Sequence, residues 1–265
     1  MAYPHFGKWS GSNLRHRRVW LAVLLVALAA AMFAGVMENV MASGPLVQTD
    51  ASVYNWLQRL RTPATDVLMV TVTEFGDTLV VTLVTGALVA WMAIQRAWRS
   101  GVYLAVAVGG ASMFNTGIKL LVQRPRPVPD LYAGWSAFSF PSGHATVNAA
   151  LYGFLGFLLV RRLLPAGQVA VGVALLAFVA AVAFSRLYLG AHWMSDVEGS
   201  LVFALAWTGL LAASHAARQS PDLDPRALAL VAGIALALAG GFNAWHRHVP
   251  DMQRYGARPI LLPAS

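Results

Sequence analysis

Long apolar runs alternate along this chain with short polar or Pro/Gly breaks, and crossing the hydrocarbon layer takes about 20 apolar residues in a helix. Six runs read as spans: approximately Val19 to Val40, Val67 to Ile94, Gly101 to Val122, His144 to Val160, Gln168 to Tyr188 and Val197 to Ala213. A seventh, Ala227 to Ala244, is the least distinct. The runs are rich in Ala, Leu, Val and Gly and lack strict period-two alternation, so they predict helices and not outer-membrane strands. The expected fold is all-α, a polytopic membrane helical bundle of six core transmembrane helices with this seventh. One membrane domain, residues 19–244, is expected between an N-terminal tail, 1–18, and a polar, Pro-interrupted C-terminal tail, 245–265.

Composition agrees with a bilayer as solvent, since 58% of residues are hydrophobic and only 11% charged, which is wrong for a water-soluble globule. The net charge of +8 does not point to nucleic acid, because the basic residues are scattered between apolar runs instead of forming one patch. The absence of cysteine excludes disulfides, thiolate metal sites and a cysteine nucleophile. The first run is longer than the roughly 7 to 15 residues of a signal-peptide core, so it is expected to be a retained span.

Orientation follows from Lys and Arg in the connecting segments, because cytoplasmic loops carry the excess. With the N-terminus inside, the inner segments hold Lys8, Arg15, Arg17, Arg18, Arg96, Arg99, Arg161, Arg162, Arg218 and Arg226. The outer ones hold Arg59, Arg61, Arg247, Arg254 and Arg258, together with Lys119, Arg124, Arg126 and Arg186. Ten against nine decides nothing; if the last four serve chemistry, ten against five favours this orientation. The segments around Lys119 to Gly143 and Ser185 to His192 then emerge on the same, non-cytoplasmic side.

Those segments carry charged or imidazole groups at span ends, where an unsatisfied ion would be costly. KLLVQRPRP (Lys119 to Pro127) supplies Lys119, Arg124 and Arg126 on a Pro-stiffened loop, and arginine's planar fork suits phosphate oxygens. PSGH (Pro141 to His144) opens an apolar run and reads as a helix N-terminus, an anion site where Gly143 permits close approach and Ser142 can cap and donate. SRLYLGAHWMSD (Ser185 to Asp196) sets His192 and Asp196 four apart, on one face if helical, where a carboxylate fixes the imidazole tautomer and leaves the other nitrogen nucleophilic. Each segment alone has an ordinary reading, as a positive loop, a helix cap or an interfacial hydrogen bond. Together they have the composition of a phosphoryl-transfer site.

The three segments resemble the signature of the type 2 phosphatidic acid phosphatase superfamily, which also includes vanadium haloperoxidases and glucose-6-phosphatase. Its pattern is Lys, six residues, Arg-Pro; then Pro-Ser-Gly-His; then Ser-Arg, five residues, His, three residues, Asp. Lys119, Arg126, Pro127, Pro141, Ser142, Gly143, His144, Ser185, Arg186, His192 and Asp196 match every fixed position. The resemblance implies a bacterial membrane lipid phosphatase that needs no metal or other cofactor. His192, oriented by Asp196, would form a phosphohistidine; His144 would act as acid and then base. Lys119, Arg126, Ser142, Gly143 and Arg186 would bind the phosphate.

Arg124 is an extra cation that could orient the loop or meet a second phosphate, and Glu198 an unexpected acid that could pair with an arginine. Glu74 and Asp77, three apart in the second run, are expected to cap or brace the bundle. Tyr132, Trp135, Tyr188 and Trp193 read as an interfacial belt. A transporter would carry its polar groups nearer the midplane, whereas a phosphotransferase would differ from a hydrolase only in its acceptor. Candidate substrates are undecaprenyl diphosphate, phosphatidic acid, phosphatidylglycerol phosphate and a lipid A phosphate. The preference for Arg over Lys and the Ala-rich spans suggest a bacterial chain of high GC content, placing it in the inner membrane with its site facing the periplasm. The partners expected are a lipid phosphate and the bilayer.

Overall fold

The computed structural model describes residues 11–161, 163–217 and 223–256. Lys8, Arg162, Arg218 and Arg258, used in the orientation argument, and most of both expected tails lie outside these described residues. Within them the chain is all helix: α1 (Gly11–Met41), α2 (Pro45–Arg59), α3 (Pro63–Phe75), α4 (Thr78–Ile94), α5 (Trp98–Val122), α6 (Gly143–Val160), α7 (Pro165–Tyr188), α8 (Met194–Ala216) and α9 (Pro225–Tyr255), with one 3₁₀ turn at Gly134–Ala137. Seven segments are long and apolar enough to cross a membrane, α3 and α4 together making one of them. The bundle and its seventh span are therefore as the apolar pattern predicts.

Helix α6 is the hub, packing against α5, α7 and α8, while α1 lies along α8 and α9 covers α3 and α4. Its inward side chains, Val147, Leu151, Phe154 and Leu155, meet Val80, Val84, Leu88 and Leu104 in the main apolar core. Large apolar side chains such as Leu25, Met113, Leu176, Leu205 and Leu238 remain exposed on the outer faces, as expected where the surrounding solvent is hydrocarbon and gives no drive to hide them.

Three differences from the sequence reading bear on the site. First, the second run is not one helix but breaks between α3 and α4. A side chain at Gly76 would run into Val182, and Asp77 has left the helix to cap α4, accepting from Leu79 N–H at 2.9 Å. Asparagines satisfy backbone carbonyls beside the break: Asn148 donates to Gly76 at 2.7 Å and Asn243 to Glu74 at 2.9 Å, as buried backbone in a membrane requires. Glu74 and Asp77 thus do not share a helical face. Second, α2 was not foreseen. It is too polar to span, yet Asp50, Tyr54, Leu57 and Gln58 form a buried stripe at helical spacing. Third, the C-terminal tail begins later than Trp245, because α9 runs through Pro250 to Tyr255. Proline removes one N–H donor from the ladder, and the far end is anchored where Arg61 donates to the Tyr255 carbonyl at 2.5 Å.

Candidate active site

The N-terminus of α4, the C-terminal end of α5, the loop after it, the N-terminus of α6 and the C-terminal end of α7 meet at one end of the bundle around a cavity of about 170 Å³. Its wall includes Lys119, Arg126, Gly143, His144 and Arg186, joined by Asp77, Asn115 and Tyr132. Five of the eight residues selected from sequence thus line one small cavity.

The cations are held by backbone and hydroxyl groups, not by carboxylates. Lys119 Nζ donates to the carbonyls of Phe138 at 2.5 Å and Ser139 at 3.3 Å. Arg126 donates through Nε and Nη2 to Ser136 O at 3.1 and 2.7 Å, and its guanidinium lies 4.4 Å from the centre of the Tyr132 ring. Burial is the main cause that draws the Arg126 pKa down to about 10, which leaves it cationic at neutral pH. Arg186, wholly buried, donates from Nη1 to Thr73 Oγ1 at 2.6 Å and from Nη2 to Tyr132 OH at 2.6 Å. Their positive charge is consequently not neutralised before an anion arrives.

Ser142 caps α6, its hydroxyl accepting from Ala145 N–H at 3.5 Å. It is fully buried and stands behind the cavity wall, so Gly143, not Ser142, presents the helix N-terminus to the cavity. Asn115 holds this turn by donating to Pro141 O at 3.0 Å. His144, on the first turn, points Nε2 toward Asp77, 3.9 Å from its carboxylate.

His192 and Asp196 do meet, though not as two residues on one helical face. Gly190, at φ +69, takes a conformation that side chains disfavour, turning the chain after α7 so that His192 lies just ahead of α8. Asp196 sits in the first turn of α8, where Oδ2 accepts from Trp193 N–H at 3.0 Å and lies 3.3 Å from His192 Nδ1. On the other side of the ring, Nε2 is 3.0 Å from Arg126 Nη1. A guanidinium can only donate, so Nε2 is the unprotonated nitrogen and Nδ1 carries the proton to Asp196. His192 does not line the cavity, because Arg126 stands over its Nε2.

Several residues around the site have roles that the sequence pattern leaves open. Arg124 is not a substrate ligand but a buried bridge, donating to Asp196 Oδ1, Asp50 Oδ2 and Ser195 Oγ, each at 2.7 Å. Tyr132 and Tyr188 do not belong to an outward belt: Tyr132 lines the cavity, and Tyr188 is buried, bonding through its hydroxyl to Thr65. Glu74 does brace the bundle, 3.2 Å from His248 Nδ1 on α9. For Glu198, no arginine partner occurs among the described residues. Nor do these contain a group of three or more His, Cys, Asp or Glu side chains suited to a metal ion.

Residues 100–220, which hold all three motifs, match the PAP2 superfamily. Over those residues the chain is similar to that superfamily. Among curated relatives, phosphatidylglycerophosphatase B of Bacillus subtilis is 26% identical over 192 residues, covering 72% of this chain and 90% of the relative. The lipid A 1-phosphatase of Rhizobium johnstonii is 32% identical over 130 residues, 44% of this chain and 48% of that relative. The crystal structure of a transmembrane PAP2 type phosphatidylglycerolphosphate phosphatase from Bacillus subtilis superposes with a TM-score of 0.62 at 23% identity, covering 75% of this chain and 97% of that one, which establishes the PAP2 fold. Helix α9 lies wholly beyond residues 100–220, the part that matches the superfamily.

Proposed function

We propose that this PAP2 protein is a lipid phosphate phosphatase of the bacterial inner membrane, working from the periplasmic face through a phosphohistidine on His192. The observation that carries this reading is the cavity itself, in which Lys119, Arg126, Arg186 and the N-terminus of α6 converge beside His144 and a tautomer-fixed His192.

The chemistry follows from these positions. An entering phosphate draws the Arg126 guanidinium onto its oxygens and uncovers His192 Nε2. Nε2 attacks phosphorus, the bond from phosphorus to the lipid oxygen (or to the leaving phosphate of a diphosphate) breaks, and His144 supplies that oxygen with a proton. Water then gives a proton to His144 and attacks the phosphohistidine, so the P–N bond breaks and inorganic phosphate leaves. The cations and the Gly143 N–H stabilise the charge that builds on the nonbridging oxygens.

A second, more apolar groove of about 420 Å³ lies between α4 and α5 and shares Thr78, Ser112 and Val147 with the phosphate cavity. Its lining includes the small residues Gly86, Ala105 and Gly109, and it supports an amphiphilic substrate with its phosphate inside and its chain along the groove. Open space surrounds the Gly109 position, so Gly109→Leu places a side chain in the groove. It is expected to weaken kcat/KM for a long-chain lipid phosphate by about tenfold, the worth of two displaced methylenes. The loss should be smaller for a short-chain ester, and equal losses on both would count against this path.

Burial, followed by the positive charges of Arg126, Lys119 and Arg186, holds the His192 imidazole well below its ordinary pKa. Protonation removes the nucleophile, so a lowered pKa means that its activity survives acidification through the usual histidine range. The acid limb of kcat/KM assigned to His192 is expected below about pH 6.5. A pH–rate profile whose His192-dependent limb lies at or above that value would contradict this.

The test of function is phosphate release by the purified protein, with chelator present, from phosphatidylglycerol phosphate, phosphatidic acid, a lipid A phosphate and undecaprenyl diphosphate. Release from at least one is expected. No release from any, or release only on addition of magnesium, would overturn the reading.

A further inference from the structure

Arg186 is a wholly buried cation of the site, and its surroundings divide its donors unequally. A guanidinium has five N–H groups. Three are occupied: Nη1 donates to Thr73 Oγ1 at 2.6 Å and to Tyr255 OH at 3.2 Å, and Nη2 donates to Tyr132 OH at 2.6 Å. The Nε–H is buried with no partner, and one Nη2–H is also left. These two lie along one edge of the guanidinium, in a residue that lines the phosphate cavity. Such an edge offers two parallel donors to two oxygens of one phosphate.

Tyr255 is the unusual member of this arrangement. It comes from the last turn of α9, far outside the residues 100–220 that match the family. It is nevertheless buried, its ring packs with Val70, Tyr188, Leu189 and Ala191, and its hydroxyl bonds to that of Tyr132. The centre of its ring is 5.3 Å from the Arg186 guanidinium. Two contacts fix the end of α9 here: Arg61 donates to the Tyr255 carbonyl at 2.5 Å, and His248, two turns earlier, lies 3.2 Å from buried Glu74.

We propose that Tyr255, delivered by the seventh span, is a positioning residue for phosphate binding. With Tyr132 and Thr73 it occupies three of the Arg186 donors, so that the Nε edge is the one left for the phosphate. The inference rests on the phosphatase reading above. Without the Tyr255 hydroxyl, Nη1 gains a free donor and the guanidinium can rotate in its plane, so the edge meeting the phosphate is no longer fixed in advance.

The test is a double-mutant cycle in the full-length protein, comparing wild type, Tyr255→Phe, Arg186→Lys and the double variant. The readouts are kcat/KM on a lipid phosphate and the affinity for orthovanadate, a mimic of the five-coordinate phosphorus. Tyr255→Phe keeps the ring and its packing. It is expected to weaken vanadate binding and kcat/KM together by about tenfold, with KM changing less than kcat. In the Arg186→Lys background, where no guanidinium remains to be steered, it is expected to cost nothing further. An undiminished vanadate affinity in Tyr255→Phe overturns the proposal. So does the same tenfold loss in the Arg186→Lys background, since a purely structural tyrosine would act regardless of the partner. If wild type releases no phosphate from any lipid, the phosphatase reading fails, while the vanadate cycle still decides the role of Tyr255.

Discussion

Replacing His192 by alanine is expected to lower turnover by roughly 10⁴- to 10⁶-fold, the range seen when a nucleophile is removed from a site whose other groups remain. The loss should fall on kcat, because the phosphate ligands Lys119, Arg126 and Arg186 stay in place. The fold should survive. Asp196 keeps Arg124 at 2.7 Å and the Trp193 N–H at 3.0 Å, so truncating the imidazole does not strand a buried carboxylate. Vanadate affinity and thermal unfolding measured on the same preparation check this. A variant that retained more than a few per cent of wild-type turnover would remove His192 from the reaction.

Arg124→Ala should do the reverse, harming the fold first and the chemistry through it. Arg124 bridges Asp50 on α2 and Asp196 on α8, and both carboxylates are almost fully buried. Removing the cation leaves two buried negative charges close together, and breaking such a pair typically costs about 3 to 5 kcal/mol. The melting temperature in detergent is expected to fall by roughly 10 °C. Turnover should also drop by about 10²-fold, because Asp196 is then free to shift and take His192 with it. Asp50→Asn, which keeps the bond from Arg124 to Asp196, should cost much less. Equal effects of the two substitutions would show that Arg124 acts locally on α2 and not through Asp196.

These two residues also mark what could be read in advance. His192, His144, Asp196 and the three cations were legible because their chemistry is confined to short segments at span ends, where a charge must have a reason. The all-helical bundle was legible because spanning a bilayer forces long apolar runs. Arg124 was visible as a residue but not as a bridge, since its partner Asp50 lies 74 residues earlier on a helix with no apolar run to announce it. The buried stripe of α2, Asp50, Tyr54, Leu57 and Gln58, has the helical spacing that could have revealed it. Asp77, expected to cap or brace the bundle, does cap α4; its place in the cavity wall was not legible, because the break at Gly76 lies against Val182, which local sequence cannot show. Tyr255 was lost behind Pro250, a residue that usually ends a helix but here interrupts one held at both ends.

The most direct test of the central claim is to mix the purified protein with a lipid phosphate labelled in its phosphoryl group, quench within the first turnover and map the label. The expected result is a transient, acid-labile phosphohistidine at His192 that disappears as inorganic phosphate is released. Turnover with no labelled intermediate, or a label on any other residue, would contradict it.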